Sequence, residues 1–291
     1  MGDLDLLRAR LGELAPVVVA FSGGADSAFL AWVAQDALGG AAQAVTAVSP
    51  SLAPEEHDDC RRLASEWGLR WSTVVTHELA NPAYSANDGR RCYWCKAELM
   101  DALEPLARSE GATVVLGVNV DDLADHRPGQ EAAAERGAAF PLVEAGFTKA
   151  DVRAASARLG LRTWDKPAAA CLASRVPYGT PVTLGVLGSV ARAESALRRL
   201  GFRQLRVRHY GELARLEVDA EEMPVALAER LAVVAAVRAA GYTYVTLDLE
   251  GFRSGNLNVG LTERDGSVSS LPPARRAEAT GRPPASGRGA R

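Results

Sequence analysis

The sequence is short of several things. Of its 291 residues only 6% are aromatic, and it has four cysteines and four histidines. Four cysteines are too few for the disulfide frameworks of small secreted domains, and a chain of this length buries an adequate core without them. No apolar run reaches the roughly 18 residues that cross a bilayer. The amino terminus, Met1-Gly2-Asp3-Leu4-Asp5, has carboxylates where a secretory signal is basic, and no apolar stretch follows. These absences predict a cytoplasmic protein with no membrane partner. Excess positive charge is missing too. Net charge is −3, and the six Arg from Arg264 onward face only Asp265 and Glu278, so the body before them is more acidic than the total. A nucleic-acid surface needs Lys and Arg to neutralise phosphate, so no nucleic-acid partner is expected. Residues 262–291, rich in Pro, Gly, Ala and Ser and without aromatics, read as a disordered basic tail.

What is present is the balance of a globular protein, 47% hydrophobic and 24% charged. Short runs at Val17–Phe21, Ala44–Val48, Arg70–Val75 and Thr113–Leu116 read as strands. Longer runs at Ala28–Leu38, Pro54–Trp67 and Lys96–Ala107 read as helices, with another helical stretch from Asp121. Thr148-Lys149-Ala150-Asp151 opens a helix to about Leu159 with a capping box. This alternation predicts an α/β fold, a parallel sheet with helices on both faces, over residues 1–165. Residues 166–182 make a connection carrying Cys171. Beyond it, a helix at Leu184–Leu200, strands at Phe202–His209 and Ala214–Val218, a helix at Val225–Ala240 and a strand at Tyr242–Leu249 predict a small α+β domain with an antiparallel sheet, residues 183–261. That domain would serve substrate binding or a homo-oligomer.

The run Val19-Ala20-Phe21-Ser22-Gly23-Gly24-Ala25-Asp26-Ser27 carries the first chemistry. Gly23 and Gly24 let the backbone turn sharply and approach a ligand. Ser22, Ser27 and successive N–H groups can then cradle phosphate at the amino end of the next helix. An ordinary strand-to-helix turn explains the glycines but not Asp26. A carboxylate in an anion site calls for a cation between the two, so Mg2+ is expected there. Kinase-type loops need Gly-x-x-x-x-Gly-Lys-Ser/Thr, which is absent. The run resembles instead the Ser-Gly-Gly-x-Asp-Ser signature of the PP-loop ATP pyrophosphatases, proteins of adenine nucleotide alpha hydrolase-like fold. Gly117-Val118-Asn119-Val120-Asp121-Asp122 resembles that superfamily's second nucleotide loop. The resemblance implies that ATP is cleaved to AMP and pyrophosphate while a carboxylate-like group is adenylated.

From Trp164 to Gly179 the chain matches no generic element. Cys171, flanked by Lys166 and Arg175, is read equally well as a reactive thiolate or as a small packing residue. The run from Lys166 to Gly179 resembles the cysteine segment of the LarE family. Gly201–His209, Leu249–Asn258 and Arg91-Cys92-Tyr93-Trp94-Cys95-Lys96 resemble that family too, so that the similarity spans about residues 10–260. It implies a sulfur transferase of nickel-pincer nucleotide cofactor biosynthesis. Such an enzyme adenylates a carboxylate of pyridinium-3,5-biscarboxylic acid mononucleotide and replaces it by a thiocarboxylate. Cys171 takes the place of the family's sulfur-bearing cysteine. In the sacrificial version its thiolate attacks the adenylate, AMP leaves, and carbon–sulfur cleavage leaves dehydroalanine. A downstream nickel-insertion protein is the implied partner.

A mononucleotide substrate carries a phosphate. Arg206 and Arg208, two apart in a strand, share a face opposite Leu205 and Val207 and suit it. Glu217 could hold Mg2+, orient Arg208, or form a surface ion pair. Cys92 and Cys95 with Cys171 make three thiols, enough for a [4Fe-4S] cluster with one iron open to hydrosulfide. Two other readings are a zinc site joining His57 and Cys60 to Cys92 and Cys95, and free thiols, with Cys60 structural. A tRNA-thiolating PP-loop enzyme and a non-catalytic ATP-binding regulatory protein are the alternative functions.

Overall fold

The computed structural model describes residues 2–124, 128–167 and 170–253. Helices are α1 (Leu4–Leu14), α2 (Ala25–Leu38), α3 (Pro54–Glu66), α4 (Pro82–Ser85), α5 (Arg91–Glu110), α6 (Pro128–Glu135), α7 (Pro141–Glu144), α8 (Lys149–Arg158), α9 (Leu184–Arg199), α10 (Met223–Ala228) and α11 (Arg230–Ala239). Strands are β1 (Val17–Ala20), β2 (Ala42–Val48), β3 (Trp71–Val75), β4 (Thr113–Leu116), β5 (Leu205–Tyr210), β6 (Leu213–Val218) and β7 (Tyr244–Leu247).

The first four strands form one sheet in the order β3-β2-β1-β4, every pair parallel. Side chains alternate across β1. Val17 and Val19 join a core with Leu7 of α1, Phe29 and Val33 of α2, Leu63 of α3 and Val152 of α8. Val18 points the other way, into a core with Met100 and Leu103 of α5 and Ala133 of α6. Both faces are therefore covered by helices, as the strand–helix alternation predicts. The order reverses at β1, which has β2 on one side and β4 on the other. In open parallel sheets a ligand crevice opens at such a reversal, beyond the carboxyl ends of the strands. The loops after β1 and β4 begin there. At α8 the capping box forms: Asp151 N donates to Thr148 Oγ1 at 3.1 Å and Thr148 N to Asp151 Oδ2 at 3.1 Å.

The second sheet has the order β5-β6-β7. Leu205, Val207, Leu216 and Val218 pack with Ala193 and Leu197 of α9 and Val233 and Val237 of α11. Here the expectation of an antiparallel sheet needs correcting. β5 and β6 are antiparallel, but β6 and β7 are parallel. α10 and α11 intervene between β6 and β7, and a helical crossover returns the chain to the same end of the sheet, giving a parallel pair. The helix expected over Val225–Ala240 is also two helices, interrupted at Glu229. Residues 254–258 of the carboxyl-terminal motif and the tail 262–291 lie outside the described residues. Among the described residues no helix is long and apolar enough to cross a membrane.

Candidate active site

The loop after β1 is tied together by its own hydrogen bonds. Ser22 N donates to Ser27 Oγ at 3.2 Å, the two hydroxyls lie 3.0 Å apart, and Ser27 Oγ donates to Gly24 O at 3.2 Å. Gly24 caps α2 and offers no side-chain bond to the first amides of the helix, so its amino end is available to an anion. Gly23 has φ of +70°, and a Cβ there would lie 2.8 Å from Cys60 Sγ, so no other residue fits without displacement. Gly117, at the end of β4, lies directly against this helix start. A Cβ on it would sit 2.8 Å from Ser27 N and 2.9 Å from Asp26 C. The two loops singled out in the sequence thus meet backbone to backbone.

Asp26 sits in that contact. Burial, and then the neighbouring Asp122, push its carboxyl above the ordinary carboxylate range, against Asn119, Lys149 and Arg153, which act in the other direction. Asp122 is itself buried, exchanges hydrogen bonds with the Asn119 backbone and amide, and has Lys149 Nζ 3.0 Å from Oδ1. Two neighbouring carboxylates beside an anion cradle are the donor set a divalent cation bridges between protein and phosphate, so Asp26 with Asp122 fits Mg2+. The sequence singled out Asp26 for Mg2+ and read Asp122 only as part of the second loop.

Cys171 lies on the connection into α9, which is held from several directions. Leu172 N donates to Ser51 O at 2.8 Å. Arg175 forks onto Glu194 of α9 (2.8 and 2.9 Å) and donates to Ala170 O and Cys171 O at 2.6 and 3.0 Å. Asn87, fully buried at φ of +57°, donates from Nδ2 to Val176 O, Pro177 O and Thr180 O and accepts from Arg91 at 2.5 Å. Arg91 also donates to Ala173 O at 3.0 Å and stacks over Tyr178 at 5.4 Å. Burial opposes its charge, but Cys171 and Cys92 lead the groups that raise its pKa overall.

Lys166 and Arg175 were the cations expected to flank the thiol. Both are spent elsewhere: Lys166 bonds Gly23 O, Glu56 and Asp59, and Arg175 bonds Glu194 and backbone. The guanidinium beside the cysteines is Arg91. Arg91 was read only as part of its motif and Asn87 was not singled out, because the bonds that tie them to the cysteine connection reach residues more than 80 positions away; the positive φ of Asn87 is the only local signal.

Cys171 and Cys92 are exposed and Cys95 is half-buried. Desolvation and then Cys171 push the Cys95 thiol up to about 12. The three thiols thus share one environment, with α5 beginning at Arg91 and presenting Cys92 and Cys95 in its first turns. Yet among the described residues no three His, Cys, Asp or Glu side chains are arranged to hold a metal ion. In this arrangement they do not fit an iron–sulfur cluster. The zinc quartet is not assembled either. His57 packs tilted on Trp71, ring centroids 6.0 Å apart, while Cys60 is buried under Gly23 with its thiol pushed up to about 11 by desolvation.

Arg206 and Arg208 do share the face of β5 opposite Leu205 and Val207, but that face is covered. Both are buried. Arg208 donates to Ser174 O at 2.8 Å and to Glu217 at 2.7 Å, which links β5 to the cysteine connection. Glu217, fully buried, also takes Arg215 at 3.0 Å. It orients Arg208 and is not a surface ion pair. Arg206 lies over the Phe252 ring at 5.0 Å. Burial, followed by Arg175 and Arg208, lowers its pKa to about 10, with Glu194 opposing. Three guanidiniums gathered near one another favour an anion. A separate cavity of about 460 Å³, lined by Asp101, Glu104, Arg108 and Arg136, opens at the amino end of β4 and includes none of these groups.

No family model matches the chain. An uncharacterised protein of Synechocystis sp. is 50% identical over 266 residues, 89% of this chain and 98% of that one. The pyridinium-3,5-bisthiocarboxylic acid mononucleotide synthase of Lactiplantibacillus plantarum is 39% identical over 259 residues, 88% of this chain and 94% of that enzyme. An uncharacterised protein of Methanocaldococcus jannaschii is 23% identical over 239 residues, 82% of this chain and 91% of its own. Identity of 39% sustained across nearly the full length of both chains places this protein in the LarE family.

Proposed function

We propose that the chain is an ATP-dependent sulfur transferase that converts a carboxylate of pyridinium-3,5-biscarboxylic acid mononucleotide into a thiocarboxylate, a step in making the nickel-pincer nucleotide cofactor. The observation that carries this reading is the near full-length similarity to the L. plantarum synthase. The amino end of α2, with Ser22, Gly23, Gly24 and Ser27, would receive the phosphates of ATP, and Gly117 closes the loop against it. Asp26 and Asp122 would hold Mg2+, whose charge would balance that of the pyrophosphate. Arg206 and Arg208 would meet the substrate's phosphate.

Cys171 supplies the sulfur in this reading. Its thiolate displaces AMP from the acyl adenylate and forms a thioester. Loss of the Cys171 α-proton then drives out the thiocarboxylate, breaks the Cβ–S bond and leaves dehydroalanine. The exposure of Cys171, with Arg91 nearby, supports covalent capture. A cluster on Cys92, Cys95 and Cys171 is the second reading, favoured by their shared environment. It requires these side chains to rearrange.

The test is anaerobic protein incubated with Mg-ATP and the biscarboxylated mononucleotide, with mass spectra of both protein and small molecule. A thiocarboxylate product with Cys171 converted to dehydroalanine supports the sacrificial route. The same product with Cys171 intact, and iron with acid-labile sulfide in the protein, supports the cluster. No product from this substrate overturns the reading and turns attention to a tRNA-thiolating enzyme.

A further inference from the structure

Lys166 is the first residue of the cysteine connection, yet its ammonium bonds α3 and the loop after β1. It donates to Gly23 O at 3.1 Å, Glu56 Oε2 at 2.8 Å and Asp59 Oδ2 at 2.7 Å, which uses all three N–H bonds. Its side chain is only 16% exposed. The two carboxylates come from α3, and the second Asp59 oxygen is occupied by Arg162 at 2.8 Å. The backbone of this segment is anchored as well, because Arg153 of α8 donates to Trp164 O and Lys166 O, both at 3.0 Å. Burial disfavours the ammonium, but Asp59 and Glu56 outweigh it and keep Lys166 charged.

The acceptor matters more than the ion pairs. Gly23 O belongs to the peptide that joins the two glycines of the phosphate loop. That peptide is planar and trans, so its carbonyl and its N–H point in opposite directions. With the carbonyl fixed toward Lys166 and α3, the Gly24 N–H is directed away from α3. A cation on the carbonyl also polarises the peptide and strengthens its N–H as a donor to an anion. From below, Cys60 Sγ occupies the space a side chain at 23 would need.

We propose that Lys166 is a positioning residue for ATP, holding the Gly23–Gly24 peptide in the orientation that receives phosphate. This rests on the nucleotide reading of the loop given above. It also makes the connection that carries Cys171 part of the nucleotide site, five residues away along the chain.

The experiment measures the affinity of the full chain for Mg-α,β-methylene-ATP, which cannot be cleaved to AMP, alongside thermal unfolding. Lys166→Met leaves two carboxylates short of a partner, so Glu56→Gln/Lys166→Met is measured beside it; there Asp59 keeps Arg162. The expected result is a Kd raised about tenfold or more in both variants, as loss of a hydrogen bond involving a charged group implies. In the double variant the midpoint should stay near that of the wild type, and Lys166→Arg should recover part of the affinity. A lowered midpoint with Kd within about twofold of wild type in the folded double variant would make Lys166 a purely structural ion-pair partner and overturn the proposal. Absence of binding by the wild type itself would remove the nucleotide reading, and the proposal with it.

Discussion

Cys171 differs from the other cysteines in what surrounds it. Cys60 is buried with its thiol pushed up to about 11, and Cys95 is pushed up to about 12, so neither gives thiolate readily near neutral pH. Cys171 is exposed, on a connection fastened by Asn87, Arg91 and Arg175. Changing it to Ser should therefore separate the two halves of the reaction. Cys171→Ser should still release pyrophosphate with Mg-ATP and the dicarboxylated substrate, while thiocarboxylate falls below detection by mass spectrometry. Equal loss of both would show that the residue is needed for binding rather than for sulfur transfer. Asp26→Asn should act on the other half. In the proposed reading Asp26 holds the Mg2+ that balances the phosphates, so weakening that cation's site should lower pyrophosphate release by roughly 10² or more. At this scale the sequence was informative where the chemistry is local. Ser22 to Ser27 can be read because the loop, its glycines and its carboxylate are contiguous. Asn87 escaped notice, and Arg91 and Asp122 were read only as members of their motifs, because what they do depends on chain segments brought together by folding.

Among the elements, the sheet reversal at β1 places the Ser22–Ser27 loop, and the contact between Gly117 and the start of α2 fixes the second loop on it. That contact is backbone against backbone, and neither side can move aside as a flexible side chain would. Gly117→Ala should therefore cost about 1–3 kcal/mol of stability in denaturant unfolding, as overpacking does, and should also raise the KM for ATP. Gly12 gives the control. It lies inside α1, and a Cβ added there would meet nothing within 4 Å, so Gly12→Ala should stabilise by about 0.5–1 kcal/mol and leave KM unchanged. A similar effect from both changes would mean that the loop contact is not special. The alternation of Val runs with helical periods made the parallel sheet legible, since each strand must bury both faces. The second sheet was harder. A helix is expected between its last two strands, and a helical crossover of that kind pairs strands in parallel, so the antiparallel assignment should not extend to β7.

Across the molecule, the cysteine connection is joined to the second sheet by buried ion pairs. Arg175 reaches Glu194 of α9, Glu194 accepts from Val207 N of β5 at 3.0 Å, and Arg208 joins Ser174 O to Glu217 of β6. Contacts gather both sheets into one unit. Burial alone would raise the carboxyl of Glu194. The bond and charge of Arg175, the Val207 amide and Arg198 outweigh it and hold the carboxyl below its ordinary value of 4.5. A depressed folded value means that the unfolded chain binds the proton more readily. The stabilisation is then complete above about pH 4.5 and is lost as pH falls through the lower folded value. Glu194→Gln removes the charge while keeping the shape, and it leaves Arg175 buried without its carboxylate. Unfolding near neutral pH should show a loss of about 3–5 kcal/mol, as for other buried pairs broken on one side. The gap between variant and wild type should then narrow as the pH is lowered below 4.5. A gap independent of pH would place the lost stability in packing, and would mean that the charge of Glu194 does not hold the connection to the sheet.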